Sequence, residues 1–143
     1  MAITKPTTVV NWSSVASKVL VDASVVASDV IAIDATAVSG TVQVSCSTAG
    51  VPAAGDTVTF WAAYSSGDLL GDTGDDFDTN EYAKPLEIVD TFATNTPGEN
   101  PARTTLILPT VAAKSFKLLA AATSNAATRN ITIRAIYTEV RAA

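Results

Sequence analysis

The sequence predicts an all-β chain, folded as an antiparallel β-sandwich of immunoglobulin-like or jelly-roll type with roughly seven to nine short strands. Three observations carry this. Apolar residues recur at period two in several short runs, the spacing that puts alternate side chains of an extended chain on one face. Ala, Val, Thr and Ser are plentiful, aromatics are only 6%, and helix formers such as Glu, Lys, Gln and Met are scarce. Clusters of Gly, Pro and Asn interrupt the runs at short intervals. At 143 residues the chain has the size of one domain, able to bury roughly 70% of the surface its unfolded form exposes. We divide it into an N-terminal arm, residues 1–11, and a single sandwich domain, residues 12–143.

The arm holds Lys5-Pro6, then Thr7-Thr8-Val9-Val10 before Asn11 and Trp12. It reads as a frayed terminus or as a strand added to an exposed sheet edge, a neighbour's included. From Val15 to Asp34, Val15, Val19, Asp22 and Val26 fit a helical stripe, but the abundance of β-branched Val and Ile decides for strand. Two strands are expected, Lys18–Asp22 and Ser28–Asp34, joined around Ala23–Val26. Ser39-Gly40 signals a turn, and in Thr41–Ser47 the alternation turns Val42, Val44 and Cys46 inward. Cys46 is then a buried small side chain and not a nucleophile.

Gly50-Val51-Pro52 and Gly55-Asp56 bound the next turn. The run from Asp56 to Tyr64 has Val58, Phe60, Ala62 and Tyr64 on one face and Thr57 and Thr59 on the other. It empties into a wide acidic, glycine-bearing loop, Ser65 to Glu81. In Leu86–Phe92 the expected apolar face is Leu86, Ile88 and Phe92, with Asp90 sharing that parity. Thr94–Pro101 is dense in breakers and reads as exposed loop. Arg103–Leu108 is a short strand ending at Pro109. Phe116, Leu118, Ala120 and Ala122 form another apolar face, Thr123–Ala127 a turn, and Ile131, Ile133, Ala135 and Tyr137 the cleanest alternation in the chain. These last two strands are expected to form a central hairpin. Strand order is not legible from the sequence.

Charge is sorted along the chain. Residues 1–67 carry four acids and two bases, 68–99 nine and one, and 100–143 one and six, for a net −5. Opposed patches of this kind can mix on one surface or complement a neighbouring copy. Late bases at Arg103, Lys114, Lys117, Arg129, Arg134 and Arg141 collect into a basic third. Lys117 and Arg134 fall on outward parities, which predicts a local basic stripe. With a sequence pI near 4.4, nucleic acid is not the expected partner; an acidic protein surface is.

Chemistry narrows the rest. With no histidine, Ser-His and Cys-His nucleophiles are impossible within the chain, and one cysteine does not make a zinc site. Neither phosphate-cradling glycine motif occurs. Asp72-Thr73-Gly74 copies the aspartic-protease triplet, but Gly71 stands where an apolar residue is needed and no later apolar-apolar-Gly element exists. Asp76-x-Asp78-x-Asn80 with Glu87 copies four ligand positions of an EF-hand loop, but Glu81 replaces the turn glycine and Lys84-Pro85 intrude. A calcium site of other geometry, using some of Asp72, Asp75, Asp76 and Asp78, stays open for the loop 68–81; solvated acids are the main expectation. No catalytic residue, cofactor site or metal ligand is therefore assigned, and the chain is not expected to be an enzyme. No run approaches the roughly 20 apolar residues that span a bilayer. The start lacks a secretory pattern, so synthesis in a reducing cytoplasm is expected.

The run Phe60-Trp61-Ala62-Ala63-Tyr64-Ser65-Ser66-Gly67-Asp68-Leu69-Leu70, with Asp76-Phe77-Asp78-Thr79-Asn80-Glu81, Lys117-Leu118-Leu119 and Ala127-Thr128-Arg129-Asn130-Ile131-Thr132-Ile133, resembles small virion structural proteins of tailed bacteriophages. The likeness is one of texture, with no strict motif that would carry a binding residue across. It implies a sandwich without catalytic residues and a role in capsid decoration, or cement, bound to the major capsid protein or other virion proteins. It also implies a homo-oligomer, a trimer being favoured. The arm 1–11 and the loops 65–83 and 94–102 are the parts expected to reach neighbours. A tail, neck or baseplate component is the second expectation. The third is a carbohydrate-binding sandwich, with Trp12, Trp61 and Tyr64 as stacking faces.

Overall fold

The computed structural model describes residues 2–20, 24–48, 56–78, 86–90, 102–123 and 130–142. Among the described residues the chain forms strands only: β1 (Ile3–Thr4), β2 (Thr7–Val9), β3 (Lys18–Leu20), β4 (Val26–Ala27), β5 (Ile31–Ala32), β6 (Ala37–Thr48), β7 (Thr57–Ser65), β8 (Glu87–Asp90), β9 (Ala102–Ile107), β10 (Ser115–Thr123) and β11 (Ile131–Ala142). None of it is a helix long and apolar enough to cross a membrane.

Among the described residues all pairings are antiparallel, and they nest. β1, β2 and β3 lie end to end along one edge of β11; β4 and β5 do the same along β10. Counting each collinear set as one strand leaves eight positions, in which first pairs with eighth, second with seventh, third with sixth (β6 with β9) and fourth with fifth (β7 with β8). One sheet therefore runs β1/β2/β3, β11, β6, β9, and the other β4/β5, β10, β7, β8. This is the strand order of a jelly roll, a long hairpin folded over on itself, and it decides between the two sandwich types left open above.

Alternation positions the core. Val42, Val44 and Cys46 of β6 and Ile131, Ile133, Ala135 and Tyr137 of β11 are buried against Val58, Phe60 and Ala62 of β7 and Phe116, Leu118, Ala120 and Ala122 of β10. Phe116 joins the layers: its ring lies 5.0 Å, edge-on, from that of Tyr137 and 6.3 Å from that of Tyr64. Burial pushes the Cys46 thiol up to about 12, so the side chain stays protonated and inert.

Several expectations need correcting. β10 and β11 are not a hairpin; each is central in a different sheet. Ser39-Gly40 is no turn, because β6 runs straight through it. Glycine is needed there for a steric reason: a Cβ at position 40 would lie 2.8 Å from Cε1 of the Tyr137 ring. In β8 the inward residue is Val89, set opposite Val58, while Ile88 faces out opposite Thr59. The strand expected over Ser28–Asp34 is interrupted, because Ala27 pairs with Leu119 but Ile31 with Phe116, leaving one extra residue on the edge. Ser28 fills this bulge. Its N–H donates to the Leu118 carbonyl at 2.8 Å, and its hydroxyl accepts from the Leu118 N–H at 2.9 Å.

The N-terminal segment is woven into the sandwich. After β2, Val10 and Trp12 enter the core, and Trp12 bridges Val15 across Ser13 and Ser14, both in the left-handed region with φ of 52° and 66°. Asp29 buttons this tight loop to the other sheet: its carboxylate accepts from the Ser13 N–H at 3.0 Å and the Ser14 N–H at 2.9 Å. The Asp29 N–H in turn donates to the Asn11 carbonyl at 2.8 Å. The expected turns at 50–55 and 124–127, and the loop 94–101, lie outside the described residues.

Candidate functional site

Three polar features stand out, and their geometry ranks them. The first is the outer face of the sheet built on β11 and β6. Register places Arg103 of β9 and Arg134 of β11 on either side of Ser45 of β6, in one cross-strand row. Two strand spacings separate the arginine Cα atoms, about 10 Å. The next row on this face is Thr105, Gln43, Ile136 and Val9, and Ile107 and Val19 complete the apolar exposure. A shallow pocket opens between the guanidinium groups, lined by Gln43, Ser45, Arg103, Arg134 and Ile136. It exists because Ser45 is short between two long side chains. Neither arginine has an ion-pair partner among the described residues.

The basic stripe expected from Lys117 and Arg134 does not form. Lys117 is on β10, so it faces out from the opposite sheet, where its ammonium lies 4.6 Å from the centre of the Phe77 ring. Arg103 takes its place beside Arg134. No local signal marks that pair; it requires knowing that β6 separates β9 from β11.

The second feature is the acidic lobe that leaves β7 at Ser65. Asp68 organises it: its carboxylate accepts from the N–H groups of Gly71 at 2.7 Å, Asp72 at 3.1 Å and Thr73 at 2.9 Å. These bonds, Thr73 first, hold the Asp68 carboxyl below its usual range. Asp76 accepts from the Leu70 N–H at 2.8 Å. One carboxylate oxygen each of Asp68, Asp72 and Asp76 comes within 4.8 Å of the others. Of the four acids considered for calcium, Asp72 and Asp76 are thus gathered with Asp68, and Asp75 is diverted to Lys114 at 2.9 Å. Asn80, Glu81 and Lys84-Pro85 lie outside the described residues. The Asp72-Thr73-Gly74 triplet is exposed on this lobe. At its tip, between Asp68 and Asp72, Leu69 and Leu70 are 86% and 74% exposed.

The third feature is closed on itself. Glu139, buried, accepts from the Asp34 N–H at 2.9 Å and from Arg141 Nε at 2.7 Å. Asp34 accepts from the Thr36 hydroxyl at 2.6 Å and the Thr36 N–H at 2.8 Å. These bonds hold the Asp34 carboxyl below its usual range. Burial raises the Tyr137 hydroxyl above its usual range, with the Glu139 charge adding to it. The group ties the β5–β6 corner to β11, its buried Glu139 satisfied within the fold and its Asp34 and Arg141 paired with each other at the rim.

The three rings considered for sugar stacking do not share a surface. Trp12 is in the core, Tyr64 packs toward Phe116, and Trp61 lies on the outward parity of β7. No family model matches the chain, and no curated protein matches it.

Proposed function

We propose that this chain is a virion structural protein of a tailed bacteriophage, a decoration protein that binds the outer capsid shell and stabilises it. The observation that carries the reading is the outer face of the β11–β6–β9 sheet. There Val9, Val19, Ile107 and Ile136 are exposed around Arg103 and Arg134 on strands held rigid by pairing on both sides or by the core beneath. Such a face docks with little loss of backbone freedom, and its two arginines suit an acidic protein surface. The jelly-roll strand order supports it as well, being common in capsid and lectin domains. The resemblance in the residues from Phe60 onward points the same way. On this reading the major capsid protein is the partner, the protein is made in the host cytoplasm and carried on the virion, and copies associate as a homo-oligomer, a trimer being favoured.

The test is to add purified protein to undecorated capsids and count the copies bound per shell. Many copies in the symmetry of the shell support decoration, whereas a single ring of a few copies makes it a neck or tail component. Absence of binding to any part of the virion refutes the proposal. Arg103→Ala with Arg134→Ala is expected to reduce occupancy.

A further inference from the structure

We infer that the Arg103–Arg134 face receives, in alternation with any other protein that docks there, the tip of the acidic lobe, Asp68 to Asp72, from a second copy of this chain, so that copies join head to tail. The inference rests on the reading of this sheet face as a protein-docking surface, and not on the virion assignment.

Two complementary surfaces argue for it. On the face, a shallow pocket bordered by Ile136 sits between two arginines without ion-pair partners among the described residues. On the lobe, two adjacent leucines, 86% and 74% exposed, are flanked by Asp68 and Asp72. An aliphatic side chain flanked by carboxylates is the counterpart of an apolar slot flanked by guanidinium groups, which bind carboxylates in a fork geometry. Two adjacent leucines on a loop tip carry apolar surface that a pocket on a partner would take out of water. Three of the other described bases are engaged within the chain: Lys114 holds Asp75, Lys117 lies over Phe77, and Arg141 holds Glu139.

Geometry makes the contact intermolecular. The lobe leaves from the end of β7 and is tied back to the β7–β10 sheet through Asp78 to Tyr64 and Asp75 to Lys114. The arginine face belongs to the other sheet and looks away from it, across a sandwich about 10 Å thick between layers. A lobe cannot reach its own face. Because the two surfaces differ, the contact is heterologous, and repeated copies either close into a ring or continue as a fibre.

Sedimentation velocity of the full chain over a range of concentrations tests this. Wild type is expected to associate as concentration rises, more weakly in about 0.5 M salt than in 0.1 M. Arg103→Ala/Arg134→Ala and Leu69→Ser/Leu70→Ser are each expected to raise the dissociation constant about tenfold or more, with thermal melting unchanged because all four side chains are exposed. An equimolar mixture of the two variants keeps one intact face and one intact tip, so it should give dimers and nothing larger. A wild type that stays monomeric overturns the inference, as does association that neither variant weakens or a mixture that forms no dimers. Capsid binding separates this outcome from the broader reading. A monomer whose shell binding still needs Arg103 and Arg134 leaves the docking face standing, whereas a monomer that binds shells equally well without them removes both.

Discussion

Gly40 shows how one missing side chain is dictated from across a sheet. Its neighbour is the ring of Tyr137, and the space a Cβ would need is filled by Cε1 and by the Leu108 side chain, 3.2 Å away. Gly40→Ala should therefore destabilise the protein by about 1–3 kcal/mol, read as a lower urea midpoint with unchanged slope. Asp34 carries a different residue-level consequence. Its folded carboxyl sits below the ordinary value of 3.8, chiefly through the bonds from Thr36. The native state thus favours the ionised form, a contribution complete above 3.8 and lost as pH falls through the lowered folded value. Urea midpoints of wild type and Asp34→Asn should differ at pH 6 and converge at the acid end. A constant gap across that range would falsify the assignment.

At the scale of the element, the N-terminal segment is a sheet edge assembled in pieces. β1, β2 and β3 cover β11 in short stretches, and the detour between β2 and β3 crosses to Asp29 on the other sheet. Short, kinked edge segments are also how sheets avoid pairing with stray strands. The arm expected to reach a neighbour is thus occupied within its own fold. Deleting residues 2–10 removes Val10 from the core along with the β1 and β2 pairings. It should cost about 3 kcal/mol or more and leave β11 prone to aggregation, both visible in a thermal melt with light scattering. Asp29→Ala frees two backbone N–H groups in a left-handed loop and should cost about 1–2 kcal/mol in the same melt. A loss as large as that of the deletion would mean that Asp29 does more than fasten this loop.

For the whole molecule, nesting governs how the chain comes together. The first strand position pairs with the eighth and the second with the seventh, so both sheets need contacts between distant parts of the chain. Closing such loops costs entropy before any core forms. Refolding should accordingly fall in the millisecond-to-second range typical of non-local β folds. Stopped-flow tryptophan fluorescence would show this, and a microsecond phase carrying the full amplitude would contradict it. The same nesting explains the surface: β9 and β11 come to flank β6, and only then do Arg103, Ser45 and Arg134 stand in one row.

The alternation in residues 41–47, 57–64, 116–122 and 131–137 by itself determined that the chain would be a β-sandwich and which side chains would line its interior. Those side chains are buried as their parity requires, apart from half-buried Tyr64. Period two is a steric property of each extended segment, so it can be read without knowing any partner. The tertiary structure alone decided that the sandwich is a jelly roll, that β10 and β11 part company, that Val89 and not Ile88 turns inward, and that Arg134 is matched with Arg103 and not Lys117. Pairing and facing depend on how hydrophobic faces from distant segments close over one core, and no residue's local spacing encodes which distant segment that will be.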